Sequence, residues 1–161
     1  MDILSKYLSI DGIVKEPSQL LIIQELSLLQ SHLVALDKRE IKFLNISFSK
    51  NEKWNNKGMY LWGKYSVGKT YCLSALANEL MKNSVDVIIA YYPDLVREFK
   101  SRISTNTLEE VVSKLKQIDV LMLDDIGAEN NSPWVRDEIL GPIIQFRLLD
   151  EKPTFFSSNL S

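Results

Sequence analysis

Gly63-Lys64-Tyr65-Ser66-Val67-Gly68-Lys69-Thr70 constrains this chain more than any other stretch. It completes the pattern G-x-x-x-x-G-K-[ST], with the apolar run Met59-Tyr60-Leu61-Trp62 before it and a helical pattern after it. Gly63 and Gly68 carry no Cβ and can adopt positive φ, so successive backbone N–H groups turn inward as an anion-binding nest. The helix that follows adds N-terminal partial positive charge. Lys69 is placed to reach the β- and γ-phosphates of a nucleotide, and the Thr70 hydroxyl to ligate Mg²⁺. A plain glycine turn between strand and helix needs neither residue. At average residue frequencies the full pattern arises by chance in a chain this long about one time in a hundred or less. Gly63, Ser66, Val67, Gly68, Lys69, Thr70 and Tyr71 are therefore the candidate contacts to ATP.

The loop needs a domain to hold it, and 161 residues suffice for one sizeable core with a small appendage. The chain is 45% hydrophobic and 25% charged, with a formal net charge of −2, so its total charge does not advertise nucleic-acid binding. A local basic groove stays compatible with that total. A single cysteine, Cys72, excludes an intrachain disulfide framework and a multi-cysteine zinc site. Its place in the helix behind the loop reads as a buried structural thiol. The N-terminus lacks the pattern of a signal peptide and no apolar run reaches the length of a membrane span, so a cytoplasmic protein with no membrane partner is expected.

Residues 1–16 are mixed in pattern, with Asp11-Gly12 reading as a turn. From Pro17 the apolar residues Leu20, Ile23, Leu26, Leu29, Leu33 and Leu36 recur at helical spacing, which predicts a helix with a wide apolar face. That face either packs on the domain or docks a partner or another copy. Lys38-Arg39-Glu40 ends this helix or starts another, and the alternation in Ile41 to Phe48 suggests a short extended segment. Ser49 to Lys57 is polar and turn-rich, a linker or surface loop. The expected division is thus residues 1–50 as an N-terminal segment and 51–161 as the nucleotide-binding core.

Within that core, Leu73, Leu76, Ala77 and Leu80 stripe a helix ending near Asn83, and Val85 to Ala90 is a buried strand. Asp94 to Arg102 and Thr107 to Gln117 read as helices, and Val120-Leu121-Met122-Leu123 as the next strand. Trp134 to Leu149 is helical, with Pro133 at its first position and Gly141-Pro142 bending or breaking it. Thr154 to Asn159 is a last strand. Strands alternating with helices predict an α/β fold with a largely parallel sheet and its ligand at the carboxyl ends of the strands.

The strand at Val120–Leu123 delivers Asp124 and Asp125 about 50 residues after the loop, with a β-rich run between. Asp124 would hold Mg²⁺, through water, while Thr70 holds it directly. Asp125 would polarise the attacking water. The intervening strand puts the sheet in the branch of P-loop NTPases (ASCE) that hydrolyse ATP with an acidic residue beside the metal. Three segments then carry a resemblance: Leu121-Met122-Leu123-Asp124-Asp125-Ile126-Gly127-Ala128-Glu129, Ser132-Pro133-Trp134-Val135-Arg136-Asp137-Glu138, and Pro153-Thr154-Phe155-Phe156-Ser157-Ser158-Asn159. They resemble the AAA+ domain of DnaI-type replicative helicase loaders, relatives of DnaC. The likeness runs over about residues 58–161.

That resemblance implies a primosome component that binds the replicative DNA helicase and helps place it on single-stranded DNA, with ATP as the switch. It implies that Asn159 is the sensor-1 residue that orients the water near the γ-phosphate. It also implies that Tyr92 to Arg102 holds the position of a short helix touching single-stranded DNA. There Arg97, Lys100 and Arg102, with Tyr91 and Tyr92 close by, give the mix of cations and aromatics of a single-strand groove, or else a solvated helix face. AAA+ sites lie between subunits, so a homo-oligomer through the ATP site is left open.

Three departures shape the expectation. Asp125 stands where most AAA+ ATPases have glutamate, one methylene longer, so slow hydrolysis is expected. The lid, sensor 2 and the trans-acting arginine normally follow sensor 1, so none is assignable in these residues; Arg136 and Arg147 are surface or interface arginines rather than fingers. The cysteine-ligated zinc module usual in DnaI-type loaders has no counterpart here. Other readings are a transposition-type AAA+ helper and a nucleotide-switched adaptor with little turnover; a small-molecule P-loop kinase is the weakest, since no substrate signature supports it.

Overall fold

The computed structural model describes residues 2–10, 17–43, 58–64, 68–127 and 132–159. The turn expected at Asp11-Gly12, the linker at 49–57, and residues Ser66, Val67, Ala128 and Glu129 lie outside them. Four parallel strands form one sheet: β1 (Gly58–Trp62), β2 (Val87–Tyr91), β3 (Val120–Asp124) and β4 (Thr154–Ser158), in the order β1-β4-β3-β2. The chain first steps from β1 across the sheet to β2 by way of α3 (Lys69–Lys82). It then returns one strand at a time, through α4 (Tyr92–Ser104) and α5 (Leu108–Gln117) to β3. A helical stretch ending in α6 (Gly141–Leu149) leads on to β4. Crossovers between parallel strands are right-handed, so the outward step puts α3 on one face and the return steps put α4 to α6 on the other.

Two cores follow from that topology. On the α3 face, Val120, Met122 and Phe155 pack with Leu73, Leu76 and Leu80. On the opposite face, Leu121 and Leu123 pack with Phe99, Val112, Leu115 and Ile143. The period-2 alternation of side chains splits β3 between the two, and all five of its residues are buried. Gly58 starts β1 at φ +140°, where a Cβ would lie 1.7 Å from the Thr154 carbonyl oxygen. No other residue fits there without displacing β4.

The N-terminal helices α1 (Ile3–Ser9) and α2 (Pro17–Phe43) join the first core: Ile3, Tyr7, Ile23, Leu26, Leu29 and Leu33 bury themselves with α3. Sequence pattern gave no element for residues 3–9; the Asp2 carboxylate caps α1 by accepting the Ser5 N–H at 2.7 Å. Ile41 to Phe43, expected to be extended, continue α2 instead. Lys38-Arg39-Glu40 are all good helix formers, and three alternating residues cannot set a period of two against them.

Trp134 to Leu149 is helical as expected, and Gly141-Pro142 resolves into an expanded turn. Residues Val135–Leu140 are π-helical, and the Gly141 N–H donates to the Arg136 carbonyl five residues back. Pro142 has no N–H to offer the carbonyl four residues before it, so the ladder widens by one residue at that point.

Arg147, expected at a surface or interface, is 0% exposed. Its Nε donates to Thr154 Oγ1 at 2.9 Å, Nη1 to the Leu115 and Ile118 carbonyls at 3.0 and 2.6 Å, and Nη2 to the Pro153 carbonyl at 2.8 Å. It thus caps the end of α5 and ties it to the start of β4. Burial pushes its pKa down to about 10, against the opposing pull of Asp119 and Asp150, so it remains a cation at neutral pH.

Candidate functional site

All four strands point their carboxyl ends the same way, and register levels those ends: Trp62 pairs with Ser158, Tyr91 with Asp124, and Leu123 with Phe156. The residues just beyond the strands therefore converge. The Gly63 N–H reaches the Ser158 carbonyl at 3.3 Å, which brings the start of the loop against the end of β4. Gly68 closes the loop in the left-handed region, φ 89°, immediately before Lys69 opens α3. The N-terminal N–H groups of α3 consequently face the same corner.

Five of the proposed side chains meet there: Lys69, Thr70, Asp124, Asp125 and Asn159. Lys69 Nζ donates to the Gly63 and Lys64 carbonyls at 2.8 and 2.9 Å and to Asn159 Oδ1 at 2.8 Å. The amide nitrogen of Asn159 donates in turn to the Asp125 carboxylate. Thr70 Oγ1 donates to Asp124 Oδ2 at 2.8 Å, and Ser157 Oγ to the other Asp124 oxygen. Asp124 is 6% exposed and held by two hydroxyl donors. The backbone N–H of Asp125 closes the network by donating to Ser157 Oγ at 2.9 Å.

Asp125 itself sits at φ 63°, an uncommon conformation for a residue with a Cβ, which aspartate tolerates better than most. It is clamped there because the β3–β4 ladder continues past it: Ile126 N–H donates to the Ser157 carbonyl at 2.8 Å and Ser158 Oγ to the Ile126 carbonyl at 2.7 Å. Ser157 is the member that sequence reasoning passed over. Its signal was available, since it stands two residues before Asn159 and so shares that residue's face of the strand.

Other candidates fall elsewhere. Tyr71 is exposed on α3 and lines a cavity of about 460 Å³ with Ile3, Lys6 and Tyr7 of α1, away from the Lys69 network. Arg97, Lys100 and Arg102 lie on α4, beyond the end of β2. Arg97 pairs with Asp94, and Arg102 Nε with Glu98 at 2.6 Å, so both α4 arginines come with carboxylates beside them. Tyr92 is buried with Phe99 in the second core, whereas Tyr91 stays 46% exposed. Arg136 is exposed and bound by its neighbour Asp137 at 2.7 Å, which holds its pKa up and that of Asp137 down.

The model of the bacterial DnaA ATPase domain matches residues 37–158. Among curated proteins, the chain is 50% identical over 113 residues to the replicative helicase loader DnaI of Bacillus subtilis (strain 168), covering 70% of this chain and 36% of that protein. It is 28% identical over 125 residues to the replicative helicase loader DnaC of Buchnera aphidicola, covering 76% of this chain and 50% of that one. The chain thus spans between about a third and a half of the length of these relatives. A crystal structure of DnaI superposes with a TM-score of 0.70 at 38% identity, over 94% of this chain and 71% of that one.

Proposed function

This chain belongs to the bacterial DnaA ATPase-domain family, as a member of the DnaI/DnaC type, and from that premise we propose that it is an ATP-dependent helicase loader. In this reading it binds the replicative DNA helicase and helps place it on single-stranded DNA at replication initiation or restart. The observation that carries the proposal is the network at the strand ends. A lysine, a threonine, two aspartates and an asparagine from α3, β3 and β4 converge on one glycine loop.

Each group has a task in that reading. The three acceptors of Lys69 are all uncharged, so an anionic phosphate at the loop offers the ammonium a stronger, charge-assisted partner. Gly68 and the N–H groups of α3 cradle the phosphates. Mg²⁺ suits the hard oxygen pair of Thr70 Oγ1 and Asp124. Among the described residues no group of three or more His, Cys, Asp or Glu could hold a metal, so phosphate oxygens and water would complete its shell. When bound, the ion neutralises charge at the β- and γ-phosphates. Asp125 accepts a proton from the attacking water and Asn159 orients it. Beside Lys69, a cavity of about 470 Å³ between α2 and β1 gives room for the remainder of the nucleotide.

Recovery of bound proteins from native extract, with and without ATP, tests the reading. The replicative helicase should be retained in an ATP-dependent way, and Lys69→Ala should remove both that retention and binding of a fluorescent ATP analogue. Retention of a transposase instead of a helicase, or of no replication protein in either state, would overturn it.

A further inference from the structure

The cavity of about 460 Å³ that Tyr71 lines lies between α3 and the N-terminal helices, and its size is that of a small-molecule pocket. Ile3, Ile23 and Ala75 give it apolar walls, and Ser74 and Asn78 add polar groups along α3. One part of its wall is charged, and Glu79 is the reason. This residue sits on α3 only 3% exposed, and a carboxylate buried so far needs a cation. Two ammoniums reach it. Lys6 Nζ of α1 and, at 3.0 Å, Lys82 Nζ of α3 both donate to the same oxygen, Glu79 Oε1. All three residues line the cavity. Two cations against one carboxylate leave one positive charge there. Each ammonium carries three N–H groups, and among the described residues Glu79 is the one acceptor bonded to either. Lys6 is held below the ordinary lysine range, first by its contact with Lys82, then by burial and the charge of Lys82.

We propose that this cavity is a binding site for a small organic oxyanion: a carboxylate or phosphate head accepts from Lys6 and Lys82 beside Glu79, and an apolar body lies against Ile3, Ile23 and Ala75. The charge count selects the ligand. A cation would meet two ammoniums, and a neutral molecule would leave the surplus charge as it stands. An anion takes donors that both lysines still have, in charge-assisted bonds. Lys69 is not among the walls of this cavity, so the site is separate from the phosphate loop.

Titrating the full chain, its tyrosine rings labelled for NMR, with benzoate, phenyl phosphate and benzylamine tests this. Tyr7 and Tyr71 both line the cavity, and at least one of the two anions should shift them saturably while benzylamine does not. Which anion does so tells whether the head is a carboxylate or a phosphate. Lys82→Ala removes a side chain that is 61% exposed and leaves Glu79 paired with Lys6, so the fold is kept and the surplus charge is gone. The anion should then bind about tenfold more weakly, the loss of one charge-assisted hydrogen bond. Lys69→Ala should leave its binding unchanged. Absence of a saturable shift with either anion, an equal response to benzylamine, or undiminished binding by Lys82→Ala overturns the site. So do shifts that vanish in Lys69→Ala, which would put the anion at the phosphate loop instead.

Discussion

Replacing Arg147 by methionine keeps the length of the side chain and deletes its fork of donors. Three of the acceptors, the Leu115 and Pro153 carbonyls and the Thr154 hydroxyl, are met in buried bonds, whereas those at Lys116, Ile118 and Asp119 are partly exposed and can take water. An orphaned buried polar group costs about 1–3 kcal/mol. Against this, the fold no longer has to desolvate a cation. The fall of the Arg147 pKa from its ordinary value to about 10 puts that relief at roughly 3 kcal/mol. The balance is a net loss of roughly 3 kcal/mol, a large share of the 5–15 kcal/mol typical of a domain. Urea unfolding followed by circular dichroism reads it as a midpoint lower by about 1.5 M, taking a slope near 2 kcal/mol/M. Arg147→Lys keeps the charge but concentrates its donors on one nitrogen, which cannot span α5 and β4 together, so it recovers only part of the loss. A change below about 1 kcal/mol would refute the capping role. So would loss of nucleotide response at an unchanged midpoint, which would make Arg147 a site residue after all.

Gly58→Ala should prevent folding or destabilise by more than about 4 kcal/mol, because its Cβ meets backbone rather than a movable side chain. A chain that keeps its unfolding midpoint would contradict the closeness of β1 and β4. Cys72 is buried and its pKa is raised by that burial, so the native thiol should react with a disulfide reagent only as fast as the chain opens. Rapid labelling below the unfolding transition would contradict it. Reversing charge at Arg97 and Lys100 together should weaken binding to single-stranded DNA and flatten its salt dependence, by about one to two in slope. Unchanged binding would leave α4 as a solvated face whose arginines serve their own carboxylates.

How much could be read without coordinates differs from residue to residue. Gly63 to Thr70 was legible because its chemistry lies in consecutive residues: glycines that free the backbone, a helix start, a lysine and a hydroxyl in fixed order. The alternation of apolar strands with helices placed Asp124 and Asp125 at a strand end for the same local reason. The α3 cap at Asn83 and the interruption at Gly141-Pro142 were equally local.

What the tertiary structure alone decided concerns partners far apart in the chain. Asn159 meets Asp125, Ser157 meets Asp124, and Arg147 reaches back to the end of α5 because parallel pairing sets a register between strands joined by long crossovers. The pattern of hydrophobic residues reveals that a segment is a strand and which residues share a face, but not which other strand lies beside it or at what offset. An arginine on a helix reads as surface by composition, since lone buried charges are rare. Only the packing of α6 against α5 puts six acceptors around Arg147 and makes its burial affordable. The chain's own letters thus specified the phosphate loop and the strand that faces it. The order β1-β4-β3-β2, which no short stretch of sequence contains, turned those pieces into a single site.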